Sequence, residues 1–251
     1  MKKILLYHVF PVNNWREVTA SLISNVPHDD IYVHVSIHHD MPLSENDLVS
    51  HLRSFGKVRT IFFSGNSQHA EVDAMEVFRS NIEFKEYSLL TYMHSKGVTK
   101  SNSKNINDWI ELMRFFIIEK MELCETVFRK GYLLYGVNKT AVSVDDHDFY
   151  GASFFYAGNF VSVNLTSDMI SKIQSVQLPK TYYGLEGFWG KLCATDLAYN
   201  AFHSRVNHYL TPFPENNYKK WTQRIRYSIV SFCYKHYYSL MRLLSAKNYH
   251  I

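Results

Sequence analysis

Short apolar segments alternate with amphipathic segments over the first hundred residues of the chain. Four apolar and β-branched runs, each bounded by polar turns, have the length of buried strands. They lie at 3–10, 31–38, 57–63 and 87–93. Between them, apolar residues recur at helical spacing, which predicts a helix after each of the first three strands. Repeated strand and helix steps predict an α/β fold with a mainly parallel sheet flanked by helices.

The longest helical pattern follows the polar stretch 99–105. We expect Asn107 or Asp108 to cap its N-terminus, and Gly131 to lie just beyond its C-terminus. A strand is predicted directly after this helix, at 132–137.

The remaining body contains two further apolar segments. Residues 153–164 predict a strand or a hairpin, and residues 182–194 predict a glycine-containing loop that leads into a helix. We find no internal repeat and no linker long enough to divide this region. The sequence therefore predicts one domain over residues 1–210.

Composition places the chain among folded globular proteins, with 251 residues of which 46% are hydrophobic and 20% charged. Three widely separated cysteines are typical of a reducing compartment. The apolar start of the chain has no small-residue cleavage site, and no segment approaches the roughly 18 apolar residues of a spanning helix. We therefore expect a cytoplasmic protein.

The net charge of +4 is unevenly distributed, because no Asp or Glu follows Glu215 while seven Lys and Arg residues do. Apolar residues at helical spacing in this region predict a basic amphipathic helical tail over residues 211–251. Such a tail either binds an anionic membrane surface or packs on the body. We expect peripheral attachment to the inner membrane, and no nucleic-acid partner, since the body offers no basic groove.

Ligands of open parallel sheets bind at the carboxyl ends of the strands. The sequence contains no glycine-rich dinucleotide fingerprint, P-loop, nucleophile elbow or H-E-x-x-H zinc motif. The strongest remaining element is the sequence from His94 to Gly97, at the end of the fourth strand. Gly97 allows the backbone to approach an anion, while Lys96 and His94 can neutralise a diphosphate. A polar turn with a solvated lysine is the alternative interpretation.

Four stretches, in this order, resemble the rhamnan synthesis protein F family and related glycosyltransferases of bacterial O-antigen and capsule clusters. They are YSLLTYMHSKGVTK, the Asp108–Trp109 helix, GYLLYGVN and FFYAGNFVSVN. The resemblance implies a GT-A-like fold and sugar transfer from a nucleotide-activated donor. It points to His94, Lys96, Gly158 and Asn159, of which the last two would line the sugar pocket. We also expect Tyr7 and His8, at the end of the first strand, to help seat the nucleotide.

Glu186 follows a glycine-rich turn at the predicted start of a helix, where it can project into a cleft. An inverting sugar transferase needs one carboxylate near the acceptor hydroxyl as general base, and Glu186 is the candidate. The segment also resembles the W-G-x-E-D element of GT-A galactosyltransferases, with Gly187 in place of the second acid. The alternative is a Glu that only stabilises a helix N-terminus.

GT-A enzymes commonly hold a divalent cation with Asp-x-Asp after the fourth strand, where this chain has His94-Ser95-Lys96. We therefore expect that no metal cofactor is required. If the enzyme does use Mg²⁺ or Mn²⁺, Asp146 and Asp148 are the expected ligands.

These observations predict an inverting hexosyltransferase that moves a sugar from a nucleotide-sugar donor to a lipid-linked or oligosaccharide acceptor in bacterial surface polysaccharide synthesis. Two other classes remain open. One is a non-catalytic glycan-binding or assembly subunit with the same fold. The other is a metal-dependent phosphohydrolase built on the acidic cluster at 145–148.

Overall fold

The computed structural model describes residues 2–37, 44–100, 103–142, 149, 151–220 and 222–224. The strands are β1 (Lys2–Val9), β2 (Asp30–Ile37), β3 (Val58–Gly65), β4 (Tyr87–His94), β5 (Leu134–Gly136), β6 (Lys139–Ala141), β7 (Phe154–Tyr156), β8 (Val161–Asn164) and β9 (Ala198–Asn200). The helices are α1 (Trp15–Ile23), α2 (Glu45–Arg53), α3 (Ala70–Asn81), α4 (Lys104–Arg114), α5 (Met121–Arg129), α6 (Ser167–Ser175) and α7 (Gly184–Leu192). The first four strands match the predicted ones to within a few residues.

Seven of the described strands form one sheet in the order β3-β2-β1-β4-β8-β5-β9, and β6 pairs with β7. The strands β1 to β4 are mutually parallel, whereas β8 runs antiparallel to both β4 and β5. The predicted α/β class, a mainly parallel sheet flanked by helices, is confirmed.

Helices cover both faces of this sheet. Helices α1, α2, α4 and α5 pack on one face, and α3, α6 and α7 pack on the other. Because side chains alternate along a strand, Leu5 and Tyr7 of β1 enter the first core, while Ile4 and Leu6 enter the second. Burial on both faces explains why β1 is a continuous apolar run in the sequence.

The long helical segment differs from its prediction at the N-terminus. Helix α4 begins at Lys104, so the predicted caps Asn107 and Asp108 are wrong and lie inside the helix. The helix continues through a π-helical stretch, Phe115–Glu119, and then into α5. The predicted end is confirmed, since Gly131 follows the helix with a positive φ of 95°.

Residues 153–164 form two strands that do not pair with each other. Strand β7 pairs with β6, and β8 lies between β4 and β5 in the main sheet. Gly158 and Asn159, with positive φ of 93° and 60°, turn the chain from one sheet to the other. The hairpin alternative is therefore wrong, and the turn reaches the end of β4, where it contributes to the site.

The first part of the predicted tail packs on the body. Phe213 and Tyr218 are buried in the core beside α4, and the Phe213 amide donates to Asp108 Oδ2 at 3.0 Å. The predicted amphipathic tail from residue 225 onward lies outside the described residues. No helix of the described chain has both the length and the apolar character needed to cross a bilayer.

Candidate active site

A cavity of about 620 Å³ opens at the edge of the sheet where β1 and β4 end. The beginning of α3, the turn after β4 and the segment that leads into α7 form its walls. This is the edge at which open parallel sheets bind ligands. The predicted site residues that line the cavity are His8, His94, Lys96, Gly97 and Glu186.

Gly97 shapes the turn that carries Lys96. Its φ is +80°, and a Cβ at this position would lie 2.2 Å from the Ile106 side chain on α4. A larger residue would therefore push the turn away from α4. This close packing fixes the position of the neighbouring Lys96 backbone.

The ammonium group of Lys96 lies over an aromatic ring. Lys96 Nζ is 4.2 Å from the centroid of the Trp109 ring, a cation–π geometry. Burial lowers the pKa of Lys96, and the negative charges of Glu186 and Glu71 act in the opposite direction. The cation is thus held in the cavity by an indole face, which leaves its N–H groups available to an anionic ligand.

Trp109 is also held by a buried polar group, His208. The His208 ring stacks on Trp109 at 5.0 Å with an angle of 8° between the planes. His208 Nε2 lies 2.7 Å from Ser204 Oγ and 3.2 Å from Asn138 Nδ2. Sequence reasoning missed His208, because it lies about 100 residues from its partner in a loop without a motif.

Glu186 lies in the first turn of α7, as expected from the glycine-rich segment before it. Burial raises the pKa of Glu186 to about 7, and Glu71 adds to the shift. Lys96 and a hydrogen bond with the Gly158 backbone favour the ionised form and limit the rise. A carboxylate with this pKa can accept a proton at neutral pH and release it again.

Gly187 permits close packing of α7. A Cβ at this residue would lie 2.8 Å from the Phe149 carbonyl oxygen. Because this neighbour is backbone, it cannot move aside as a flexible side chain could. This contact explains why the residue after Glu186 is glycine.

A hydrogen-bonded chain links His94 to the interior. His94 Nδ1 lies 3.1 Å from Glu71 Oε1, and His94 Nε2 lies 3.1 Å from the Gly158 carbonyl oxygen. Asn159 Nδ2 donates to the second oxygen of Glu71, and Trp189 Nε1 donates to Asn159 Oδ1 at 2.7 Å. Burial lowers the pKa of His94, whereas Glu71 and the Gly158 carbonyl act to raise it.

These contacts change the roles expected for three predicted residues. Both ring nitrogens of His94 already face protein acceptors, so His94 positions the wall of the cavity instead of contacting a diphosphate. Gly158 and Asn159 lie behind this wall rather than lining a sugar pocket. A Cβ at Gly158 would lie 2.5 Å from Met113 Sδ, and the Asn159 side chain is 1% exposed.

Tyr7 does not face the cavity, which corrects its expected role in nucleotide binding. It enters the opposite core, where its hydroxyl lies 3.0 Å from Thr19 Oγ1, and burial raises its pKa. Consecutive strand residues point to opposite faces, so Tyr7 and its neighbour His8 cannot serve the same side.

His8 belongs to a row of three histidines across neighbouring strands. The strand register places His8 beside His34 of β2 and beside His94 of β4. His8 Nε2 is 3.0 Å from Ser36 Oγ, and its ring lies 5.3 Å from that of His34. Burial lowers the pKa of His8, and the neighbouring histidines lower it further. The floor of the cavity is therefore a neutral imidazole at neutral pH.

Glu71 is a charged site residue that sequence reasoning missed. It lies in the first turn of α3, which begins after β3 at the same edge of the sheet. That position after a strand was the available signal. The alternative metal ligands Asp146 and Asp148 lie outside the described residues, within which no group of three or more His, Cys, Asp or Glu side chains is arranged to hold a metal ion.

No family model and no curated protein matches this sequence, so the resemblance to the rhamnan synthesis protein F family finds no support there. A 4-diphosphocytidyl-2C-methyl-D-erythritol synthase from Anaerococcus prevotii is a similar solved structure, with 11% identity, a TM-score of 0.38, and coverage of 80% of this chain and 89% of that chain. TarS from S. aureus has 7% identity, a TM-score of 0.42, and coverage of 76% of this chain and 34% of TarS. This chain thus spans about a third of TarS. Both likenesses are distant.

Proposed function

We propose that this chain is a glycosyltransferase that uses a nucleotide-sugar donor. The proposal rests on one observation: Glu186, whose pKa is raised to about 7, and the cationic Lys96 share a single cavity at the strand ends. Group transfer from a sugar diphosphate requires a base for the incoming hydroxyl and a positive charge for the leaving group. The cavity supplies both.

The proposed reaction is a direct displacement at the anomeric carbon. Glu186 accepts the proton of the acceptor hydroxyl while the acceptor oxygen forms the new bond to that carbon. The bond between the anomeric carbon and the diphosphate oxygen breaks, and Lys96 stabilises the negative charge that develops on the diphosphate. Displacement from the opposite side inverts the anomeric configuration.

Lys96 would take the place that a divalent cation has in enzymes with an Asp-x-Asp element, so the proposed reaction needs no metal cofactor. The donor nucleotide would lie against the turn that carries Gly97. A lipid-linked or oligosaccharide acceptor in bacterial surface polysaccharide synthesis, on the cytoplasmic face of the inner membrane, fits a basic amphipathic tail as anchor.

The test is a screen of nucleotide-sugars for release of nucleoside diphosphate, with a parallel thermal-shift series of nucleoside diphosphates. Lys96→Met should weaken diphosphate binding by about tenfold and lower transfer by about 100-fold. Lys85→Met, which removes an exposed lysine far from the cavity, is the matched control.

Two results would contradict the proposal. If no nucleoside diphosphate stabilises the protein and no donor is cleaved, the chain is not a nucleotide-sugar transferase. That result would favour the alternative of a non-catalytic glycan-binding or assembly subunit. If the product retains the anomeric configuration by NMR, Glu186 is not the base of a direct displacement.

A further inference from the structure

Exposed aromatic surface is concentrated at the mouth of the cavity. Among the residues that the structure describes, five large hydrophobic side chains are exposed: Tyr182 (79%), Tyr183 (38%), Leu197 (38%), Tyr209 (50%) and Leu210 (77%). The three tyrosines all line this one cavity. A clustered apolar surface of this kind, next to a site, is typical of a binding surface.

Two of the rings are held in place from one side. Tyr183 stacks on Phe149 at 5.3 Å, and Phe149 stacks in turn on Phe155 at 4.3 Å. The Tyr182 ring stands perpendicular to Tyr183, with the centroids 4.9 Å apart. A ligand therefore meets a pre-arranged ring, which reduces the entropy lost on binding.

Tyr209 is held by α4 and the turn after β4. Its ring packs edge-to-face on Trp109 at 5.3 Å, and Lys100 Nζ lies 4.6 Å from its centroid. Burial raises the pKa of Tyr209 to about 12, and the next contributions come from Tyr182 and Glu186. The Tyr209 hydroxyl is therefore close enough to the Glu186 carboxylate for the two groups to interact electrostatically.

The position of Glu186 indicates which substrate the rings contact. Glu186 lies in the first turn of α7, directly after the segment that carries Tyr182 and Tyr183, and it lines the same cavity. A sugar ring stacked on one of these tyrosines would therefore place its substituents near this carboxylate. In the proposed reaction the group next to Glu186 is the acceptor hydroxyl. A pyranose has an apolar C–H face that packs on an aromatic ring, and hydroxyl groups at its edge that can reach a carboxylate.

We propose that Tyr182, Tyr183 and Tyr209 form an acceptor subsite that binds a saccharide ring by stacking and presents its hydroxyl group to Glu186. This inference rests on the proposed glycosyltransferase function of the same cavity. It assigns the acceptor to the saccharides and leaves Lys96 to the diphosphate of the donor.

Saturation-transfer NMR on the full chain tests the subsite. The probes are the methyl glycosides of glucose, galactose, rhamnose and N-acetylglucosamine, and calorimetry with UDP, dTDP and GDP runs in parallel. Tyr182→Ala should weaken binding of the glycoside that the wild type prefers by about tenfold, which corresponds to about 1.4 kcal/mol. Tyr182→Phe keeps the ring and should bind within about twofold of the wild type. Leu197→Ala is the control for an exposed apolar residue outside the cavity.

The outcomes separate this inference from the proposed function. The subsite is wrong if no glycoside receives saturation, or if Tyr182→Ala binds as the wild type does. It is also wrong if Tyr182→Ala loses nucleoside diphosphate affinity while glycoside binding is unchanged, because the rings then hold a nucleobase. Glycoside binding that depends on Tyr182, without binding of any nucleoside diphosphate, would uphold the subsite and reject the transferase.

Discussion

Replacing Glu186 by Gln should stabilise the protein at alkaline pH while it removes the proposed base. Burial raises the pKa of this carboxyl from 4.5 to about 7, so the folded state holds a proton that the unfolded state has already released. Between these two values, stability falls as the pH rises. The stability linked to this group is fully present below pH 4.5 and lost above about 7.

The size of the expected stability difference follows from the pKa shift of Glu186. At about 1.36 kcal/mol per pH unit, a rise from 4.5 to about 7 corresponds to about 3 kcal/mol. The Glu186 side chain keeps part of its surface open to the cavity, and solvent there screens the charge. We therefore expect Glu186→Gln to gain about 1–2 kcal/mol over the wild type at pH 8, and close to nothing at pH 5.

Urea denaturation of both proteins at pH 5, 6, 7 and 8 measures this difference. Groups that titrate in both proteins, such as the buried histidines, cancel when the two free energies of unfolding are subtracted. Glu86→Gln, which changes an exposed carboxylate, is the matched control. A variant that is less stable than the wild type at pH 8, or a difference that does not change with pH, would refute the reasoning. In that case the Glu186 carboxylate would be an ordinary ionised group and a poor base at neutral pH.

Three further predictions concern the surroundings of the site. Glu71→Gln should lower transfer by about tenfold and alter the pH profile of kcat, because His94 loses the negative charge that raises its pKa; an unchanged profile would make this contact merely structural. Gly158→Ala should lower the free energy of unfolding, measured in urea, by about 2 kcal/mol more than Gly131→Ala does. Both glycines have positive φ, but only a Cβ at position 158 would meet a neighbouring side chain within 4 Å; equal losses would contradict the close packing. Deletion of residues 225–251 should abolish co-sedimentation with anionic vesicles and preserve nucleoside diphosphate binding; a truncated protein that still sediments with these vesicles would place the membrane contact on the body.

The parallel part of the fold and the place of the cavity were predictable, because both depend on local pattern. Apolar runs mark the first four strands, and the turn from His94 to Gly97 follows the fourth of them. Glu186 was found by its glycine-rich context, which does mark the start of α7. Each strand, the turn after β4 and the start of α7 is therefore encoded within about ten consecutive residues.

The contacts that define the roles in the site were not predictable, because they depend on strand register and on long-range packing. His8, His34 and His94 become neighbours only when the relative shift of β1, β2 and β4 is known. Glu71 reaches His94 across the sheet edge, 23 residues away in sequence. The error on Tyr7 could have been avoided from the sequence alone. Tyr7 and its neighbour His8 were both assigned to the nucleotide, although adjacent residues of a strand face opposite sides of the sheet.

The buried neutral histidines make the folded protein less stable at acid pH, whereas Glu186 makes it less stable at alkaline pH. Burial lowers the pKa of His28 to about 3 and the pKa of His34 to about 4, both from 6.5. The unfolded chain takes up these protons first, so stability is lost as the pH falls below 6.5, by up to about 5 kcal/mol for His28 and about 3 kcal/mol for His34. Since a domain of ordinary stability has roughly 5–15 kcal/mol in total, we expect an acidic elution step in purification to remove a large part of the stability, and the chain should be handled near neutrality.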